Sequence, residues 1–297
     1  MSNTINGINL AQIAQESLDV LQPIPFMLDS VSKNFSSETL GAGQTSITTR
    51  YVVAPTAQDI TSGYAPTAIS TVSRTMSFTN FWGFVVGLTD SEVMNAAVNI
   101  QNLFTQPAAI TTVNKAENLV MSLITNANYS AKVTKTSAQF DSDVVADLAD
   151  TLSTANVIGP RTLVLSPTYY ASLLKDTSVK SALAFGEGAP LPTGVVGRLH
   201  GMNIIVNTNI PNNSENLVGF ALAPQAICVA ARGITTPQNF PGLIENTVDA
   251  RTGLPMQWRY WYNPDAASQD GSHNFSVATN FAYQVGVPAN LVRIVSA

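Results

Sequence analysis

The sequence predicts an α+β protein. Three observations carry that prediction: apolar residues alternate with period two over 46–53 and 76–88, an amphipathic stretch at 108–127 carries a helical stripe, and from about 136 short helices and strands alternate before the chain turns to β hairpins after Gly233. The chain has 297 residues, 45% of them hydrophobic, enough to bury one large core or two modest ones and to exclude general disorder.

Each element follows from its local pattern. In residues 1–45, Ile13, Leu18 and Leu21 fall at helical spacing, and Pro23, Pro25 and a Ser-rich stretch lead to Gly41 and Gly43, so a short helix followed by an extended arm is expected. Ile47, Thr49, Tyr51 and Val53 then form one strand of a long hairpin, with a loop at Pro55–Pro66. On the return strand Met76, Phe78, Trp82, Phe84, Val86 and Leu88 share a face that is interrupted at Asn80. A hairpin of this length cannot bury both faces within its own domain.

Thr89-Asp90-Ser91-Glu92 fits a capping box, with Val93, Ala97, Ile100 and Phe104 following on one face, until Pro107 interrupts or restarts the helix. The helix at 108–127 aligns Ile110, Val113, Ala116, Val120, Leu123 and Ala127. A further helix at 141–155 turns Val144, Val145, Leu148 and Leu152 inward. The strand Thr162–Leu165 runs into Ser166-Pro167, an N-cap followed by proline at the first helical position, and then into Tyr169–Leu174. Beyond the Gly/Pro-rich loop at 186–192, strands are expected at 202–206 and 217–229. Hairpins follow at 243–250 with 256–262, and a last pair covers 274–285 and 291–295.

Charge is scarce. The chain carries 14 Lys or Arg and 19 Asp or Glu, 11% of residues against about 25% in an average soluble domain. On a compact monomer of this size that is about one charge per 370 Å², so much of the surface is expected to face other copies. A net charge of −5 with scattered cations, Lys132 and Lys135 being the nearest to a basic pair, argues against a dedicated nucleic-acid binder. The amino terminus lacks a basic start and a continuous apolar stretch, so synthesis in the cytosol is expected. The uncharged windows 93–114 and 271–292 are too rich in Asn, Gln, Thr and Ser to read as membrane spans.

Nothing in the sequence forms a catalytic constellation. The single cysteine, Cys228, lies in the apolar run Ala226–Ala230 and reads as a small buried hydrophobe; it excludes an intrachain disulfide and a CxxC metal knuckle. His200 and His273 are the only histidines, and His200, beside Gly201 ahead of a strand, reads as structural or surface. Asp141, Asp143, Asp147 and Asp150 crowd one helix; they could hold a divalent cation, but the reading preferred is that the early ones favour the positive N-terminus of the helix and the rest form a solvated face. Gly41–Thr45 lacks the lysine of a phosphate loop, Gly186-Glu187-Gly188 opens no helix, and no serine stands in a G-x-S-x-G elbow. Neither a catalytic residue, a cofactor nor a metal is expected.

The phrases GPRTLVLSPTYYASLLKD, GEGAPLPTGVVGRLHGMNIIVNTNIP and LVGFALAPQAICVAARG resemble the axial-domain region of major capsid proteins of tailed double-stranded DNA bacteriophages, which share the HK97 fold. Gly188, Leu191, Gly194, Gly197, Leu199, Gly201 and Pro211 stand near the places of the family's glycine-rich phrase. The order of elements extends the resemblance along the chain. It implies an N-terminal arm at 1–45, an extended hairpin loop at 46–88, a peripheral domain with a spine helix at 89–135 and 235–297, and an axial domain at 136–234.

The resemblance further implies a coat protein, not an enzyme, that assembles through hexamers and pentamers into an icosahedral head around the genome. Its expected partners are other copies, a separate scaffolding protein, a portal, a decoration protein and the packaged DNA by non-specific contact. No lysine lies between Lys33 and Lys115, so the extended-loop lysine that some relatives use for crosslinking has no counterpart. Arg50, Arg74, Arg251 and Arg259, with Phe78 and Trp82, are the expected interface residues. Two other readings stand beside this one: a bacterial nanocompartment shell, and an enzyme or glycan-binding module using Trp258-Arg259-Tyr260-Trp261-Tyr262.

Overall fold

A computed structural model describes residues 31, 45–52, 57, 59–61, 63–64, 70–91, 100–157, 159–179, 197–235, 239–248, 254–264 and 271–297. Most of the N-terminal arm, the loop at 186–194 and Arg251 lie outside them.

Three sheets organise the described chain. The first is a hairpin of β1 (Ser46–Val52) and β2 (Thr71–Ser77), antiparallel from Ser46↔Ser77 to Val52↔Thr71. The second contains β10 (Gly242–Val248), β11 (Pro255–Asn263), β12 (Ser272–Val285) and β3 (Asn80–Thr89) in that order, with β9 (Ile227–Arg232) on the far end of β12. The third, six-stranded and mixed, runs β4 (Lys132–Thr134), β13 (Leu291–Val295), β8 (Leu217–Leu222), β5 (Arg161–Leu165), β7 (Met202–Val206), β6 (Arg198–Leu199).

The long helix α1 (Ile100–Met121) lies against β3 and β12 and is continuous through Pro107. The sequence places this helix at 108–127, but it ends at Met121. Up to that point the stripe is the expected one, with Val113, Ala116 and Val120 buried; Met121, off that stripe, is buried as well, and beyond the helix Ile124 is buried and Ala127 is exposed. Trp258, Phe275, Val277 and Phe281 meet α1 in the main core. A second core packs α2 (Ser142–Thr154) and α3 (Pro167–Lys175) on the six-stranded sheet; Val144, Val145, Leu148 and Leu152 are buried there as expected. Asp141 caps α2, its Oδ1 accepting from Val144 N at 3.1 Å.

Two expectations about strands need correction. The return strand of the hairpin is not one strand: β2 pairs with β1 and β3 pairs with β12, and the break at Phe78 and Thr79 sends Met76 and Phe78 into one cluster and Phe84, Val86 and Leu88 into another. Alternation alone cannot show this, because both strands keep their period across the break. Residues 274–285 and 291–295 do not pair with each other: β12 joins the five-stranded sheet, while β13 lies between β4 and β8 in the six-stranded one. The chain therefore crosses from one sheet to the other within residues 286–290, so 291–295 belongs by hydrogen bonding with the strands of the expected axial region.

Candidate subunit interface

The hairpin is the least enclosed part of the described chain. Along its inner face burial falls steadily: Ile47 and Met76 pack with Phe78, Cys228, Ala230 and Ala282, Arg74 is half-buried, and Val72 is exposed. The outer face carries hydroxyls, Thr48 and Thr75 lying 3.1 Å apart, together with the exposed Arg50. At the tip a turn closes with Gly63 N donating to Ile60 O at 3.1 Å, and Asp59 holds Thr61 N at 2.9 Å. Ile60 and Tyr64 project from it, Tyr64 with 89% of its surface exposed.

The expected interface residues fall in different environments. Arg50 and Arg74 stand on opposite faces of the hairpin, paired across strands with Ser73 and Thr49. Arg259 donates from Nε to Gln257 Oε1 at 2.6 Å and lies 5.7 Å from the centre of the Phe240 ring, both within its own chain. Phe78 is buried in its own cluster, with Arg232 5.9 Å from its ring. Trp82 keeps 36% of its surface exposed, with Lys115 Nζ 4.4 Å from its ring. On the opposite face of β3, Phe81 and Val85 are more open still, flanking Gly83, where a Cβ would strike Val277 O and the backbone of Ala278. Phe81 and Val85 fall on the polar half of the alternation, and that is why the sequence does not mark them.

The aromatic stretch at 258–262 is divided among internal contacts. Trp258 is fully buried, donating from Nε1 to Thr247 Oγ1 at 3.1 Å, and Trp261 meets Phe240 edge-on. Tyr260 and Tyr262 belong to a cluster at the end of β3. His273 Nε2 lies 2.9 Å from Asp90 Oδ1, Tyr262 Oη donates to Asp90 Oδ2 at 2.9 Å, and Tyr260 Oη lies 2.7 Å from His273 Nδ1. Because the carboxylate only accepts, Nε2 donates to Asp90, and Nδ1 and the Tyr260 hydroxyl share the second hydrogen bond of the ring. Burial, with Asp90 and Tyr262 adding to it, holds the Tyr260 phenol above its ordinary pKa. No sequence pattern joins Asp90 to His273, which lie far apart along the chain.

At the far end of α1 the chain is tightly tied. Arg293, 1% exposed, donates from Nε to Tyr129 O at 2.6 Å and from Nη2 to Asn126 Oδ1 at 2.8 Å, and pairs through Nη1 with Glu215. Asn126 N donates in turn to Glu215 Oε1 at 2.7 Å, and Asn213 Nδ2 caps the helix end by donating to Met121 O and Ile124 O. Burial pulls the Arg293 guanidinium below its ordinary pKa, which the paired carboxylate opposes.

Elsewhere, His200 is exposed and its Nε2 lies 2.9 Å from Ser142 Oγ, and Cys228 is fully buried. Asp143, Asp147 and Asp150 point outward from α2. Among the described residues no three His, Cys, Asp or Glu side chains converge as a metal site would require, and no helix is long and apolar enough to cross a membrane.

This combination of a two-stranded hairpin, a long helix against a five-stranded sheet and a separate mixed sheet is that of a shell subunit of the HK97-like kind. The phage capsid protein family matches residues 71–283, and the chain belongs to that family. No curated protein matches it in sequence. Among solved structures it is similar to the capsid of cyanophage P-SCSP1u (TM-score 0.63, 12% identity, 91% of this chain and 86% of that one) and to a chain of Mycobacterium phage Che8 (0.60, 18%, 84% of each). It is also similar to a virus-like particle from Pyrococcus furiosus (0.57, 15%, 96% and 98%). The protein is a phage capsid shell protein; the family match favours neither the nanocompartment nor the aromatic-site reading.

Proposed function

We propose that copies of this chain form hexamers and pentamers and close into the icosahedral head of a tailed phage, enclosing double-stranded DNA, after synthesis in the host cytoplasm. The observation that carries this reading is the β1–β2 hairpin. A two-stranded sheet is marginal in water by itself, and among the described residues this one pairs with no third strand while exposing Val72, Ile60 and Tyr64. A neighbouring copy supplies the missing surface. The scarcity of charge supports the same reading, because interface cores are depleted of it. The seams are formed by the hairpin with Arg50 and Arg74, by the β3 surface around Trp82, and by Arg251; Arg259 and Phe78 act from within the subunit, holding the residues that face the seam.

The shell wall performs no catalysis and holds its genome by confinement. Its cohesion is noncovalent, and a separate scaffolding protein sets its curvature, with portal and decoration proteins joining at particular positions. Negative-stain electron microscopy and light scattering on the purified, concentrated chain test this. Sheets, tubes, rings or shells of mixed size are expected. A monomer at high concentration overturns self-assembly, and uniform shells from the chain alone overturn the scaffolding part.

A further inference from the structure

The hairpin leaves its own fold at Arg74, and there the chain is electrostatically incomplete. Arg74 is half-buried, its Nε is out of reach of water, and it makes no hydrogen bond or ion pair among the described residues. Directly across the ladder Thr49, 6% exposed, also has a buried hydroxyl without a partner. The only carboxylate on the hairpin's described residues, Asp59, is held by Thr61. A guanidinium drawn partly out of water with no acceptor is a site for a carboxylate from outside the chain.

The same chain carries the complementary surface. On α2, Asp143, Asp147 and Asp150 stand at i, i+4 and i+7 on the exposed face, opposite the buried Val144, Leu148 and Leu152. Like charges at these spacings oppose the helix, and the later two approach its negative end, where no basic side chain is present in the last turn. Arg161 does reach that end, but it donates to Ala149 O, Ser153 Oγ and Val157 O. Asp90, Asp141, Asp176 and Glu215 are all engaged by donors of their own chain, whereas these three aspartates have no partner among the described residues.

We infer that Arg74 of one copy docks on the Asp143/Asp147/Asp150 ridge of a second copy, so that the inner face of the hairpin is seated on the outer face of the neighbour's α2. This rests on the shell reading and adds its partner surface. Charge complementarity selects the occupant: a cation lacking its carboxylate and a carboxylate ridge lacking its cation belong to chains that assemble with one another. Arg50, on the other face of the hairpin, is not part of this contact.

The test uses the full-length chain. Particle formation by the wild type tests the shell reading alone. Arg74→Glu, and separately the triple change Asp143→Lys, Asp147→Lys, Asp150→Lys, are each expected to lower sedimenting particles by about tenfold or more, and their combination to restore most of the yield. Arg50→Glu combined with the reversed ridge is expected to show no such rescue. Proximity is read independently of yield in a chain carrying Arg74→Cys and Asp147→Cys, expected to give a ladder of disulfide-linked copies on non-reducing gels, where Arg50→Cys with Asp147→Cys gives none. Wild-type particles together with full assembly of both charge variants, or with no ladder from the Arg74→Cys, Asp147→Cys chain, would overturn the contact and leave the shell reading standing. No assembly by the wild type would remove both.

Discussion

The end of the spine helix and the root of the hairpin each bring an arginine against polar groups at the edge of an apolar cluster, and they reach opposite states. At the helix end every arm of Arg293 is engaged by Tyr129, Asn126 and Glu215, and Asn213 closes the last carbonyls of α1. At the hairpin Arg74 and Thr49 pair across the ladder, and neither Arg74 Nε nor the Thr49 hydroxyl has a partner among the described residues. A buried charge that is fully paired binds its elements into one unit, whereas a half-buried unpaired one leaves a term for another molecule to supply. The first region is finished in the monomer; the second, by the contact proposed above, is finished on assembly.

The strongest way to break this contrast is Arg293→Met. Removing the guanidinium takes the ion pair from Glu215, which keeps only the Asn126 N–H among the described residues, and the Nε donor from the Tyr129 carbonyl, and a loss of about 3–5 kcal/mol in urea unfolding is expected; a loss below about 1 kcal/mol would show that the junction is not the tie described. At the hairpin, Ile47→Ala is expected to lower the local opening free energy by about 2 kcal/mol, seen as roughly 30-fold faster amide exchange in β1 and β2 with the global midpoint nearly unchanged. Equal shifts in both would mean that the hairpin unfolds with the rest. Asn213→Ala, which uncaps α1, is expected to cost about 1 kcal/mol in the same unfolding measurement.

The Tyr260–His273–Asp90 cluster is an intermediate case, satisfied internally but partly open to water. The Tyr260 pKa is raised in the folded state, so the folded chain holds that proton more tightly than the unfolded one. Its contribution is therefore complete below about pH 10, the ordinary tyrosine value, and is lost as pH rises through the raised one. Alkaline titration of stability should be shallower in Tyr260→Phe than in the wild type; identical slopes would count against the assignment. The smallest effect is expected for Thr48→Val on the hydroxyl face, within about 0.5 kcal/mol in the monomer.

Much of the fold was legible because local chemistry reports local structure. The Ser166-Pro167 junction and the inward valines and leucines of α2 are where their spacing predicts, and Asp141 stands at the helix N-terminus, where its charge is favoured. The hairpin was legible as an element but not in its limits: the alternation keeps its period across the break, and the polar interruption at Asn80 does not by itself tell a change of sheet from a polar residue within one strand. The candidate interface was read from the sequence only as four arginines with Phe78 and Trp82; which of these already have partners in their own chain, as Arg259 does with Gln257 and Phe240, depends on strands that meet far apart in sequence.

By itself, the sequence determined the α+β class, the long amphipathic helix, the scarcity of charge and, through the glycine-rich phrase near 188–211, the resemblance to the capsid family. Periodicity, capping and composition are properties of neighbours along the chain, so they survive without coordinates. Tertiary structure alone decided that β13 joins the six-stranded sheet, that Asp90 meets His273, that Arg293 is buried and paired, and that Arg74 has no carboxylate beside it among the described residues. Those outcomes depend on which distant backbones come within hydrogen-bonding distance, and no local pattern encodes that.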